Sequence, residues 1–538
     1  MSAKEVNDLA SRITERYRTF RPWFKIGAVN RREFLAALGV LSQRRFNLLT
    51  DEPVVVYRQP YLQNVRTDRA TVMWATELPA DDAYVAYSAD GVSFRKATAF
   101  QRTFLPSPDT GLVREFTQHV ATLPRLSSNS SYLYYPVVNG SPIGSGARFR
   151  TTAPPLDPAT GRSYSFRFLV LGDSGMGTAS QIRVAQRLNL ESASFLLHVG
   201  DIAYGNGNFE QFQRNYFDIY RDLMMRTPFF TAPGNHEYDT PNAAPYLSLH
   251  TFPTDTVPLA DRGRYYSFDW GNVHFVSLDS QADRKTNQGT LLRALSGSSD
   301  MLNWLQRDLR STRQFWKVVF FHHPAYAGGQ NYGDPIERDV EQYLCPILES
   351  NGVQLVLNGH EHSYQRTFPV KFSPRGRTVP DGTGTVYMTL GGGGATLYEN
   401  MFPLPQTAFQ RVINHYGRVD VEGSRLTLRA INDAGAQFDS VVIAPLPVLA
   451  DASPVTFDPD PVAGGLVRIR GFNLGLQEMF TQTASPNLAG TSASLNGRPL
   501  DLLYVSPTQI VGQLSETLRS TTLSLAVSTP NGTLQFSI

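Results

Sequence analysis

Phe195-Leu196-Leu197-His198-Val199-Gly200-Asp201-Ile202-Ala203-Tyr204 decides how the middle of this chain folds. Its first half is a short apolar run, the pattern of a buried strand. Gly200 breaks the run, a carboxylate follows at once, and a phenol stands three residues beyond it. A strand that ends in a turn bearing polar side chains belongs to an open α/β sheet. In such sheets ligand groups gather beyond the carboxyl ends of the strands.

Working outward, the same device recurs. The apolar run 166–171 leads into Gly172-Asp173-Ser174-Gly175, and the run 229–232 reaches Gly234-Asn235-His236-Glu237. Run 317–321 ends at His322-His323-Pro324, and run 353–357 at Gly359-His360-Glu361-His362. A glycine before the polar residue allows a sharp turn and a close approach of backbone to an ion. Between the runs the spacing is helical: Ile182, Ala185 and Leu188; then Tyr216, Ile219, Tyr220 and Leu223; then residues 301–309 and 340–348. Strands alternating with helices predict a βαβ core with a largely parallel sheet. Residues 265–279 and 418–430 read as added hairpins, and Gly391-Gly392-Gly393-Gly394 as a flexible turn, the alternative being a backbone that approaches the substrate at the site rim.

Any one of these loops is weak evidence, since Gly-Asp after a strand is usually a plain turn. Together they are strong. Half of the ten histidines, His236, His322, His323, His360 and His362, fall within three of the short loops. The others, His119, His198, His250, His274 and His415, are assigned to the core or the surface. Cys345 is the single cysteine, so an intrachain disulfide and a thiolate metal cluster are both excluded. A metal must then be held by Asp, Asn, His or Tyr, which favours harder, catalytic ions. Two cations close together need a shared anionic bridge and separate terminal ligands, and five converging loops can supply both. Neither a Gly-x-Ser-x-Gly elbow nor a P-loop is found in this region. The net charge of +2 and the lack of a long basic run speak against nucleic acid as a partner.

The ordered set Gly-Asp, Gly-Asp-x-x-Tyr, Gly-Asn-His-Glu, His-x-Pro and Gly-His-x-His resembles that of purple acid phosphatases, within the calcineurin-like metallophosphoesterases. The resemblance covers the central domain and, more loosely, the segment before it. It implies an α/β/β/α four-layer sandwich binding two metal ions. Asp173, Tyr204 and His362 would hold the first, Asp201 would bridge both, and Asn235, His322 and His360 would complete the second. The tyrosine implies Fe3+ at its own site, with Fe2+, Zn2+ or Mn2+ at the other. The implied reaction is hydrolysis of phosphate monoesters by in-line attack of a metal-bound hydroxide, with Asp201 and His236 as the catalytic residues. His236 would contact the phosphate or protonate the leaving oxygen. A phosphodiesterase or nucleotidase on the same metals is an alternative, as is a non-catalytic secreted binding or adhesion protein. Plant-type members carry a further histidine pair after the fourth motif. Here Ala325-Tyr326-Ala327-Gly328-Gly329-Gln330-Asn331-Tyr332 follows, so His236, His323 and Tyr326, with Asn331 or Tyr332, are the candidates to line the substrate pocket.

The flanks have a different texture. Residues 1–53 read as basic and helical, and Arg31-Arg32 before Ala36-Ala37-Leu38-Gly39-Val40-Leu41 resembles a twin-arginine export signal. The alternative is an amphipathic helix with an exposed basic turn. Residues 54–152 show short alternating runs, as in Ala70-Thr71-Val72-Met73-Trp74-Ala75, and predict a β-sandwich resembling a fibronectin type III domain. The catalytic domain is placed at 153–447. Residues 453–538 predict a second sandwich, in which Gly471-Phe472-Asn473-Leu474-Gly475 and Leu503-Tyr504-Val505-Ser506-Pro507-Thr508-Gln509-Ile510 resemble the immunoglobulin-like modules of secreted bacterial proteins. The architecture expected is multidomain, a central α/β domain flanked by two all-β sandwiches, exported to the periplasm or the extracellular space. No run approaches the ~20 apolar residues that span a bilayer.

Overall fold

The computed structural model describes residues 54–157, 163–371, 384–445, 447–449, 453–458, 462–518 and 523–537. The basic N-terminal segment and its arginine pair lie outside the described residues. Among those described, no helix is long and apolar enough to cross a membrane.

Two mixed sheets form the centre. The first runs in the order Phe229–Thr231, Phe195–His198, Phe166–Leu171, His415–Glu422, Arg425–Asn432, Gln437–Ile443. Its first three strands are parallel and the rest antiparallel. The second sheet runs Tyr266–Trp270, Val273–Ser277, Trp316–Phe320, Leu355–Asn358, Val386–Leu390, Tyr364–Thr367, Thr407–Arg411. It is parallel from Val273–Ser277 to Val386–Leu390. The run pattern alone suggested one largely parallel sheet. The strand pattern was right and the pairing was not, because alternation marks a segment as a strand without saying which edge it joins. Gly271, at φ +56, turns Tyr266–Trp270 back onto Val273–Ser277, and this hairpin opens the second sheet.

Side-chain alternation decides what each sheet faces. Phe168 and Val170 share a core with Phe268, Phe275, Val318 and Leu357 of the other sheet. Phe168 meets Phe275 edge-on at 5.2 Å, and Phe230 stacks on Phe268 at 3.9 Å. The intervening Leu169 and Leu171 pack with Val184, Ala185 and Leu188 of helix Ala179–Leu190. Val319 and Val356 likewise pack with Met301 and Leu305 of helix Met301–Ser311 and with Leu344 and Leu348. Each sheet thus buries one face against the other sheet and its other face against helices. At ~1.5–3 kcal/mol for each large side chain removed from water, this stack anchors the strand ends that carry the loops.

The flanking segments are antiparallel. In the N-terminal one, Val56–Gln63, Ala70–Thr76, Phe116–Leu123 and Phe100–Phe104 form one sheet; Arg95–Thr98, Ala83–Ser88, Ser131–Val138, Ser141–Pro142 and Ala147–Arg150 form the other. Buried Arg58 joins this segment to the centre: it donates to Gln118 at 2.7 Å and Gln213 at 2.9 Å, and lies over the Phe217 ring. The C-terminal strands surround their own core, including Val467, Ile469, Leu502, Ile510 and Val527. They touch the second sheet where Gln354 Nε2 donates to Asn473 and Lys317 lies over Phe472.

Candidate metal centre

Each loop is tied down by its own strand and by its neighbours. Asp173 N donates to Gly200 O and Ser174 N to Asp201 O, so the first two loops are stitched together. Asn215, in the π-type turn Gln213–Phe217, donates its amide to Gly175 O at 2.9 Å and Tyr204 O at 3.0 Å. Asp173, Asp201 and His360 have φ of +54, +51 and +70, a left-handed backbone that non-glycine residues seldom adopt. Such strain persists where surrounding structure over-determines it, which is typical of functional sites. Gly234 shows why the loops need glycine: a Cβ there would fall 2.1 Å from Asp201 Oδ1.

The loops bring together the residues singled out in the sequence. Tyr204 Oη lies 3.2 Å from Asp173 Oδ1 and 2.9 Å from His362 Nε2. His322 Nε2 lies 3.0 Å from Asn235 Oδ1, 3.3 Å from Asp201 Oδ1 and 3.3 Å from His360 Nδ1. His360 Nδ1 is also 3.1 Å from Asn235 Oδ1. Asp173, Asp201 and His322 each offer a ligand atom within 4.8 Å of the others. His236, 29% exposed, stands at the open side with Nε2 3.8 Å from Asp201 Oδ2. Its Nδ1 donates to Gly205 O.

The protons at this cluster are too few for its lone pairs. His322 Nδ1 donates to Val199 O at 3.1 Å and His362 Nδ1 to Thr396 O at 2.6 Å. A carbonyl only accepts, so in neutral rings both Nε2 atoms turn lone pairs inward. There His322 Nε2 meets two oxygens, Asn235 Oδ1 and Asp201 Oδ1, that are acceptors as well. Either the ring takes a second proton or a cation fills the gap. The charges show the same strain. Burial opposes ionisation of Asp201, yet His322, with His236 and His360, holds it well below the usual carboxylate range. Burial works against the His322 cation too, but Asp201 lifts it to about 9. Burial pushes the Tyr204 phenol far up, and Asp201 and Asp173 add to this. A positive ion reverses this local logic. The donor set of carboxylates, imidazoles, an amide oxygen and a phenol therefore fits metal ions.

Several residues escaped the sequence reading. Glu237 was quoted without a role, yet its buried carboxylate accepts from the backbone N–H of Asp201, Ile202, Ala203 and Gly234 at 2.7–3.2 Å. A buried acid directly after Asn-His was the available signal. Tyr398 stacks on His362, ring centroids 4.0 Å apart, and nothing local marked it. Residues 391–394 are not a flexible turn. They are buried, with Gly393 N donating to Gly172 O and Ala395 N to Asp173 O, so they pack beneath the first loop. Tyr326 is also corrected as a pocket candidate: it lies in the outer helical core, edge-on to Tyr387 at 4.9 Å. Its apolar neighbours captured it, which a loop-like sequence around it did not foretell. Asn331 does reach the rim, donating to His360 O at 3.3 Å, while Tyr332 is exposed and meets Phe402. Of the remaining histidines, His198 lies directly behind the first loop, with Nε2 2.9 Å from Ser174 Oγ, while His119 with Thr76 and His274 between Asp269 and Asp308 belong to networks of their own.

Residues 166–364, which carry these loops, match the calcineurin-like phosphoesterase family. That central stretch is therefore similar to calcineurin-like phosphoesterases, and purple acid phosphatases are among the proteins that the chain resembles. The chain is 26% identical to acid phosphatase type 7 of Homo sapiens over 394 residues, 68% of this chain and 84% of that one. It is also 26% identical to an uncharacterized protein of Mycobacterium tuberculosis, over 56% of this chain and 62% of that protein. Against the protein named probable inactive purple acid phosphatase 24 of Arabidopsis thaliana, it is 25% identical over 61% of this chain and 59% of that one. The chain therefore spans less than two thirds of the length of these last two relatives. Among solved structures, the purple acid phosphatase of yellow lupin seeds shares the fold with a TM-score of 0.61 at 20% identity, over 73% of this chain and 75% of that one.

Proposed function

We propose that this protein hydrolyses phosphate esters at a two-metal centre, with monoesters preferred. One observation carries the proposal: Asp173, Asp201, Tyr204, Asn235, His322, His360 and His362, drawn from separate strand ends, bring their oxygen and nitrogen ligand atoms into one buried cluster. In this reading Asp173, Tyr204 and His362 would hold one ion and Asn235, His322 and His360 the other, with Asp201 available to both. Tyr204 suits Fe3+, and the histidine-rich side suits Fe2+, Zn2+ or Mn2+. Bound there, two cations supply positive charge to the phosphoryl oxygens and lower the pKa of water at the site.

The chain's own residues do the rest. Asp201 is held ionised by His322, with His236 and His360, and so keeps a negative charge available to cations. Glu237 clamps the Asp201 loop from behind. His236, the most exposed ring of the set, keeps Nδ1 on Gly205 O and leaves Nε2 free to face a phosphate or to hand a proton to the leaving oxygen. The flanking segments are read as a fibronectin type III-like domain over 54–152 and an immunoglobulin-like module over 453–538. These bracket a catalytic domain at 153–447, and the whole is read as exported, by a twin-arginine route.

Purified protein assayed on p-nitrophenyl phosphate and on bis-p-nitrophenyl phosphate tests the reading. Faster turnover of the monoester is expected, and Asp201→Asn should lower it by at least about 100-fold, the scale of losing one preorganised electrostatic group. A preference for the diester reassigns the substrate class. Hydrolysis that Asp201→Asn leaves unchanged removes the catalytic assignment.

A further inference from the structure

We propose that His323 is an additional nitrogen donor to the ion on the His322–His360 side, making that cradle richer in imidazole than Asn235, His322 and His360 alone. The inference deepens the metal-centre reading and rests on it.

Three observations converge on this ring. His323 is 1% exposed, and its Nε2 has no hydrogen-bond partner among the described residues. Its ring centroid lies 4.9 Å from that of His322 and 4.6 Å from that of His360. One ring nitrogen from each of the three falls within 4.8 Å of the others. The other nitrogen of His323 is already engaged, because Nδ1 lies 2.9 Å from Ser280 Oγ. Ser280 Oγ also accepts the His323 backbone N–H at 3.1 Å, which fixes the loop and the ring together. When Nδ1–H donates to that hydroxyl, Nε2 holds a lone pair and no proton, the form in which it can bind a cation.

Carbonyl acceptors impose this tautomer on His322, through Val199 O, and on His362, through Thr396 O. Metal-bound histidines commonly donate their second nitrogen in this way, which fixes the tautomer and the ring direction. As a mere packing residue, His323 would leave a buried nitrogen unpaired at a cost of ~1–3 kcal/mol. As a ligand it loses nothing. Imidazole donors favour zinc and iron over manganese or magnesium, so His323 biases the site toward Zn2+ or Fe2+ and away from Mn2+.

The test uses the full chain, stripped by a chelator and titrated with Zn2+ against a chromophoric competitor. Binding is read directly, without an activity assay. His323→Ala should weaken one of two Zn2+ equivalents by at least about 10-fold and leave the other unchanged, and it should alter the visible spectrum of the Co2+ form. Ser280→Ala should weaken the same equivalent by about 10-fold, the low end for loss of a ligand's outer partner. His323→Leu, similar in volume and without a donor, should match His323→Ala, with circular dichroism reporting an intact fold. Zn2+ affinities and a Co2+ spectrum equal to wild type in both His323 variants overturn the proposal, and an increase in KM alone makes His323 a substrate contact instead. Wild-type protein that binds no cation removes the metal-centre reading along with it. Wild-type protein that binds two cations and hydrolyses no ester ends the proposed function while leaving the His323 assignment standing.

Discussion

Tyr204 and His362 meet across 158 residues of chain, Oη to Nε2 at 2.9 Å, with Asp173 Oδ1 3.2 Å from the same phenol. Burial and the two neighbouring carboxylates push this phenol well above its ordinary pKa, so a phenolate forms there only beside a positive ion. Tyr204→Phe should leave the fold intact and abolish any phenolate-to-iron absorbance, along with the retention of Fe3+. Metal analysis and the visible spectrum check this, and unchanged colour and iron content in the variant would exclude Tyr204 as a ligand.

Glu237 is the hinge pin of the Asp201 loop. Its carboxylate takes N–H groups from Asp201, Ile202, Ala203 and Gly234, and Glu237→Ala leaves all of them buried without an acceptor. Each buried N–H left without an acceptor costs ~1–3 kcal/mol, so the variant should lose upwards of ~3 kcal/mol. Calorimetry should show the transition of the central domain falling by several degrees, and Glu237→Gln should fall between the two.

Gly234 tests whether space alone protects the site. The Cβ of Gly234→Ala would meet Asp201 Oδ1 at 2.1 Å and Asp201 N at 2.3 Å. Backbone and carboxylate must separate, although no ionisable group is changed. Metal content should drop, and turnover of p-nitrophenyl phosphate should fall by about 100-fold or more. Full metal content and full turnover would show that the loop can yield without harm.

His274 gives the fold a pH dependence away from the metal centre. Burial disfavours its charge, but hydrogen bonds to Asp269 at 2.6 Å and Asp308 at 2.8 Å outweigh this and raise it to about 9. A folded pKa above the unfolded ~6.5 means that the stabilisation is complete below about 6.5 and is lost as pH rises through about 9. Unfolding temperature measured from pH 6 to 10 should decline over that window. His274→Asn should be less stable at pH 6 and should flatten the slope. A wild-type profile with no decline would mean the ring is neutral between its two carboxylates.

Much of this was legible because it is local. An apolar run followed by Gly-Asp, or Gly-His-Glu-His, marks a strand and its exit within ten residues, whatever the rest of the chain does. The strand at Phe166–Leu171 and the helix at Ala179–Leu190 stand where their periodicity put them. Tyr326 failed for the opposite reason: its surroundings in sequence are loop-like, while in space Tyr387 encloses it. Residues 391–394 look flexible as a run of glycines, but those glycines are what lets the chain pass against Gly172 and Asp173.

By itself, the sequence determined which side chains stand at the ends of strands, since hydrophobic period and turn chemistry act over a few neighbours. Tertiary structure decided which of them meet: Tyr204 with His362, Glu237 behind Asp201, Tyr398 over His362, and His323 beside His360. Those encounters depend on how two sheets pair and stack. That is a balance of long-range packing against chain entropy which no short segment encodes alone.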